Sequence, residues 1–209
     1  MEWKFDQVIK TEDELRALMG YPEEIVKKKT IDHIDAICQG FIEKSPFITI
    51  ATSDAAGNLD VSPKGDPAGF VKILNSKTLA IPDRPGNRKA DTFTNIIHNP
   101  NVGLIFFIPG IKETLRVNGA AEIVTDQKVL ELLECQGKVP SFAIIVRVKE
   151  AFMHCAKCII RSKLWEGGAG ENERPVPSLA KVLVEHSQVD MSVKELDDLI
   201  KEDEKSNLY

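Results

Sequence analysis

The sequence predicts a mainly β, α+β protein: a closed or nearly closed antiparallel barrel with peripheral helices. Three observations carry this. Short segments rich in β-branched and aromatic residues fill the middle of the chain. Turn residues, rather than helices, join most of them. The regular strand–helix alternation of a doubly wound sheet is missing. The 209 residues, 43% apolar and 28% charged, suit a globular fold rather than a disordered chain.

Residues 1–45 read as a helical segment. Thr11-Glu12-Asp13-Glu14 fits a capping box, in which hydroxyl and carboxylate satisfy backbone N–H groups reciprocally. Gly20 is the stop, and Pro22 suits the first turn of a second helix. Lys27-Lys28-Lys29 reads as a solvated face. Ile31, Ile34, Cys38, Phe41 and Ile42 recur at helical spacing and predict one apolar face.

Residues 46–150 read as the barrel. Phe47–Thr52 and Leu59–Val61 flank the turn cluster Asp54–Asn58 and predict a hairpin. Further strands are expected at Phe70–Leu74, Thr78–Ile81, Val102–Ile108, Thr114–Val124 and Phe142–Val148. Pro109-Gly110 turns between two of them. Short helices are expected at Asn87–Ile97, with Asn87 as N-cap, and at Asp126–Cys135. Residues 151–209 read as a helical extension: helices at His154–Trp165, Ser178–His186 and Ser192–Asp203, with a Gly/Glu/Pro-rich loop over Glu166–Pro177. Ser192-Val193-Lys194-Glu195 is a second capping box.

Lys+Arg 27 against Asp+Glu 32 leaves a net charge of −5. That balance disfavours a dedicated nucleic-acid binder but allows a local pocket for a small anion. No apolar run approaches the roughly 18–20 residues that span a bilayer, and the N-terminus lacks a signal-peptide core. The chain reads as cytoplasmic, with no membrane partner, and its 4 cysteines as reduced thiols. Cys155 and Cys158 form a C-x-x-C, but no second ligand pair completes a zinc site and no βαβ setting supports a redox dithiol. No metal site is expected. P-loop, dinucleotide-binding and hydrolase motifs are absent.

The most informative stretch is Leu79–Asp91. A strand runs into a Pro/Gly turn, then a helix opens with Arg88 and Lys89 near its start. Cations there oppose the helix dipole unless an anion sits at that end. The alternative is a wet helix start whose charges pair with Asp83 and Asp91. Val61–Pro67 adds a hydroxyl and a cation, Ser62 and Lys64, which gain weight if the barrel brings them near Arg88 and Lys89. Trp165 either seals the core or caps a flat ligand. Lys157 and Arg161 lie one helical turn apart.

These segments resemble the pyridoxamine 5′-phosphate oxidase-like, FMN-binding split-barrel superfamily. Gly86-Asn87-Arg88-Lys89-Ala90 is similar to its G-S-R-K-A phosphate loop, with Asn87 for serine. Thr114-Leu115-Arg116-Val117-Asn118-Gly119 is similar to its Q-V-x-V-x-G strand, with Thr114 at the flavin-contacting position. Ser62–Asp66 departs from the oxidases' R-x-V-L-L-K. A closer similarity is to an uncharacterised branch of FMN-dependent proteins with D-V-S-P-[KR]-G-D-P-A-G-F, I-P-D-R-P-G-N and E-T-L-R-V-N-G blocks. This chain carries them at Asp60–Phe70, Ile81–Asn87 and Glu113–Gly119.

The resemblance implies an antiparallel Greek-key split barrel and a homodimer with FMN at its interface. It implies phosphate contacts from Arg88, Lys89 and Lys64, with hydrogen bonds from Asn87 or Ser62. The ring is expected on Ser62–Lys64 and near Pro82 and Asp83, with Thr114 or Arg116 at its polar edge and Trp165 as a cap. The expected activity is that of an FMN-dependent oxidoreductase related to pyridoxamine 5′-phosphate oxidases, with NAD(P)H as a candidate donor. The residues name neither catalytic acid nor base. The alternatives are a flavin-storing or flavin-sensing protein and, more distantly, a thiol or metal protein using Cys155 and Cys158.

Overall fold

The computed structural model describes residues 2–167 and 176–209. The loop expected over Glu166–Pro177 falls, at 168–175, outside them. Seven strands form one antiparallel sheet: β1 (Phe47–Ser53), β2 (Leu59–Gly65), β3 (Lys72–Asn75), β4 (Thr78–Pro82), β5 (Asn101–Phe107), β6 (Thr114–Val124) and β7 (Ala143–His154), in the order β2-β1-β5-β6-β7-β4-β3. Eight helices surround it among the described residues: α1 (Glu12–Met19), α2 (Glu24–Lys28), α3 (Ala36–Ile42), α4 (Asp91–His98), α5 (Gln127–Leu132), α6 (Lys157–Ser162), α7 (Leu179–Ser187) and α8 (Val193–Ser206). None of the described helices is long and apolar enough to cross a membrane.

The sheet curls into a split barrel. Ile48 and Ile50 of β1 share one buried cluster with Leu79 and Ile81 of β4. Those strands are four places apart in the sheet, about 19 Å if it were flat. Side chains cannot bridge that gap, so the strands wrap around a common interior. Period-2 alternation sends Val102, Leu104 and Phe106 of β5 and Leu115 and Val117 of β6 inward. On the opposite face, Ala80, Ala143 and Ile145 pack beneath Leu130 of α5 and Leu133, which caps its end.

Both capping boxes form, at Thr11/Glu14 and Ser192/Glu195. Several boundaries differ from expectation. β2 runs on to Gly65 despite Pro63, because β2 is an edge strand where a missing N–H leaves no ladder bond unmade. β7 continues to His154, since β6 pairs with it along its whole length and Ile31 bridges to Ala151. The helix expected from His154 is therefore confined to α6. Ile31 is not helical, and α3 opens only after Asp35, whose carboxylate accepts the Cys38 N–H at 2.8 Å. Helix α4 starts at Asp91 rather than Asn87, because Arg88 and Ala90 have φ of 59° and 63°.

One glycine is fixed by packing. The β6–β7 register shifts at Asn118/Gly119, and a Cβ on Gly119 would run into the Arg147 carbonyl. Gly119→Ala is expected to lower stability by about 2 kcal/mol or more. Gly40→Ala, in α3 with open space around it, should be neutral or stabilise by up to about 1 kcal/mol. Urea denaturation of the two variants measures both.

Candidate functional site

The site is built by the segment between β4 and α4. β4 is buried along its whole length and ends at Pro82. Asp83 then donates its N–H to the Phe142 carbonyl at 3.2 Å. Arg84 turns inward: its Nε donates to Asp66 Oδ2 at 2.6 Å and its terminal nitrogen to the Leu133 carbonyl at 2.8 Å. The two charged side chains are 16% and 2% exposed. With its start anchored, the chain passes Pro85 and Gly86 and twice adopts the left-handed conformation, at Arg88 and Ala90. That conformation is uncommon outside glycine and asparagine. Asn87 Oδ1 accepts the Lys89 N–H at 3.0 Å and closes a turn. Among the described residues, no acceptor is found for the backbone N–H groups of Arg88, Ala90 and Asp91.

This loop forms one wall of a cleft of about 940 Å³. The volume lies within the roughly 300–1,000 Å³ of small-molecule sites. Ser62, Lys64, Asp83, Asn87, Arg88 and Lys89 all line it, so the fold gathers six of the ten residues expected at the site. Phe93 and Phe142 meet edge-to-face at 4.9 Å along its apolar side, and the Lys64 ammonium sits 5.1 Å from the Phe93 ring centroid. Asp203, Asn207 and Tyr209 supply another wall.

The polar groups differ in how free they are. Asp60 Oδ2 accepts from the hydroxyls of Ser62 and Thr92 at 3.0 and 2.9 Å. The Ser62 proton is thus already committed. Lys89 pairs with Asp91 at 2.6 Å and is 74% exposed, as the wet alternative foresaw. Arg88 has no ion pair among the described residues. Burial pushes the Asp83 carboxyl above its ordinary range, against the pull of Lys64 and Arg84. Lysines and arginines on the lining are nearly balanced by carboxylates, so any preference for an anion is local to the Gly86–Ala90 loop.

The remaining expected residues do not line the cleft. Pro82 is buried in β4 beside the cleft. Thr114, Arg116 and Trp165 do not line it. Thr114 is buried at the start of β6, opposite His154. The Arg116 guanidinium is 5.8 Å from the Phe152 centroid. The Trp165 indole N–H donates to the Ile111 carbonyl at 2.7 Å. Cys155 and Cys158 are both exposed, and among the described residues no three His, Cys, Asp or Glu side chains cluster as metal ligands would. Sequence reasoning missed Asp66, Arg84 and Tyr209. Only Arg84 gave a signal, as a cation between two prolines at a buried strand end.

A family model described as pyridoxamine 5′-phosphate oxidase matches residues 34–155. Similar solved structures include HupZ of Group A Streptococcus, at 22% identity over 57% of this chain and 93% of that one, with a TM-score of 0.49. An FMN-binding protein of Syntrophomonas wolfei matches at 12% identity over 56% and 88%, with a TM-score of 0.42. The FAD-binding protein of Mycobacterium smegmatis matches at 16% over 59% and 97%, with a TM-score of 0.42. No curated protein matches the chain.

Two outcomes follow from the geometry. Arg84→Met strands a buried carboxylate and is expected to cost about 3–5 kcal/mol, with Arg84→Met/Asp66→Asn recovering much of it in urea denaturation. Asp83→Asn should raise the thermal midpoint of the ligand-free protein at pH 7. A carboxylate whose folded pKa is raised weakens the fold once ionised, and that cost is absent below the ordinary 3.8. The variant's advantage should therefore vanish as the pH falls through that window in a calorimetric series.

Proposed function

The chain belongs to the pyridoxamine 5′-phosphate oxidase family, and from that premise we propose that it is an FMN-dependent oxidoreductase whose cleft holds the flavin. The observation that carries this is the Gly86–Ala90 loop. Among the described residues it combines backbone N–H groups without acceptors at 88, 90 and 91 with an Arg88 guanidinium without an ion pair, at the opening of an eight-residue helix. Those donors and the positive end of the helix fit a phosphate. A flavin phosphate carries roughly −1.5 to −2 charge, which these groups neutralise.

In this reading Arg88 is the principal phosphate ligand. Lys89 is secondary, because Asp91 already neutralises it. Asn87 keeps its Nδ2 donors, its carbonyl being used in the turn. Lys64, held over Phe93, supplies positive charge between the phosphate loop and β2. Ser62 orients through Asp60 and acts as an acceptor, not a donor. The flavin would supply hydride acceptance and donation, with NAD(P)H as a donor to test. A homodimer would let Thr114, Arg116 and Trp165 of one subunit reach the cleft of the other, which accounts for their distance from it within a protomer.

A flavin-storing or flavin-sensing protein is the second reading. It is favoured by a lining in which, among the described residues, no histidine stands and Asp60 is already engaged by two hydroxyls.

Titrating FMN and riboflavin tests the assignment. Arg88→Ala should weaken FMN about ten- to a hundred-fold, the worth of a charge-assisted hydrogen bond. Lys89→Ala should weaken it far less, and riboflavin should ignore both changes. Equal small shifts for the two flavins would place the phosphate elsewhere. Reduction of the bound flavin by NADH or NADPH, followed by turnover with an acceptor, separates the oxidoreductase from the storage protein.

A further inference from the structure

Helix α8 buries none of its own residues, yet the segment it leads into reaches the barrel. Asp203, Asn207 and Tyr209 line the cleft together with the Gly86–Ala90 loop. The Tyr209 hydroxyl donates to Asp66 Oδ1 at 2.7 Å, and the Arg84 guanidinium lies 5.6 Å from its ring centroid. Tyr209 therefore closes on the same buried ion pair that anchors the phosphate loop. The carboxylate acceptor favours the protonated phenol and pushes it above its ordinary range. Asp203 brings a carboxylate to the cleft, which an anionic ligand would repel. The ligand's charge thus does not hold this wall shut.

We propose that the α8–Tyr209 segment is a retaining wall of the cleft, latched by the Tyr209–Asp66 hydrogen bond, and that Tyr209 sets how fast a bound flavin enters and leaves. The ligand's identity rests on the FMN reading, whereas the latch does not. Tyr209 is a positioning residue here: it acts through the wall and through Asp66, not on reacting atoms. Opening requires loss of one charge-assisted hydrogen bond and one cation–ring contact. Asp66 stays neutralised by Arg84 throughout, so the wall can open without stranding a buried charge.

Cys135 offers a readout that needs no ligand. Its half-buried thiol lies 3.8 Å from Asp66 Oδ1, the oxygen that Tyr209 holds. In a Cys155→Ser/Cys158→Ser background, which removes the exposed thiols, iodoacetamide alkylation of Cys135 reports opening. Tyr209→Phe keeps the ring and loses the hydrogen bond. It should speed alkylation about tenfold, and Tyr209→Ala by more. Stopped-flow mixing should show faster uptake and faster release by a similar factor, for FMN and riboflavin alike. An unchanged alkylation rate would overturn the latch. So would a fall in thermal midpoint with flavin rates unchanged, which marks a structural tail. Faster alkylation in a protein that binds neither flavin would uphold the latch and remove the FMN reading.

Discussion

Asp66 is a charged side chain almost wholly withdrawn from water, and Arg84 makes that tolerable. Alone, the buried carboxylate would cost several kcal/mol; paired at 2.6 Å it is neutralised. The pair joins segments that are distant in sequence. Asp66 follows β2 and donates its N–H to the Pro46 carbonyl at 3.1 Å. Arg84 opens the β4–α4 loop and reaches Leu133 at the end of α5. Cys135 and Tyr209 both address the other oxygen of Asp66. The buried pair therefore fixes where the Gly86–Ala90 loop begins and where the α8 segment can dock.

The curled sheet and the loop make opposite demands on the backbone. The barrel interior is regular: alternation places Ile48, Ile50, Leu104, Phe106, Leu115 and Val117 in one apolar cluster. The loop is irregular, with two residues other than glycine in the left-handed region. Each such residue costs roughly 1–2 kcal/mol. That conformation delays α4 to Asp91 and, among the described residues, leaves N–H groups without acceptors beside Arg88. Strain of this kind persists where surrounding structure over-determines it, here through the Arg84 anchor, the Asn87 turn and the packing of Thr92 and Ile96.

Local chemistry made much of this legible in the sequence. The β-branched runs announced the strands, and the Thr11 and Ser192 capping boxes announced α1 and α8, because those signals act over a few residues. Pairing over distance was hidden. β7 extends to His154 because β6 and Ile31 pair with it, which no property of residues 149–154 declares. The start of α4 was misplaced because Arg88 and Ala90 are ordinary helix formers forced into φ > 0 by the loop. At the site, Ser62, Lys64, Asp83, Asn87, Arg88 and Lys89 were recognisable from their blocks and do converge. Asp66 and Arg84 are 18 residues apart and Asp66 and Tyr209 are 143 apart, separations that carry no pattern. Thr114 and Arg116 sit in a block that resembles the family's, yet neither they nor Trp165 line the cleft.

The central claim is that an anchored, left-handed loop holds the phosphate of a flavin. A crystal structure of the protein grown with FMN tests it most directly. The account predicts phosphate oxygens within hydrogen-bond distance of Arg88 and of backbone N–H groups between 88 and 91, with the Asp66–Arg84 pair intact beneath them. A flavin bound with its phosphate away from this loop, or a loop that rearranges into helix from Asn87, would contradict it.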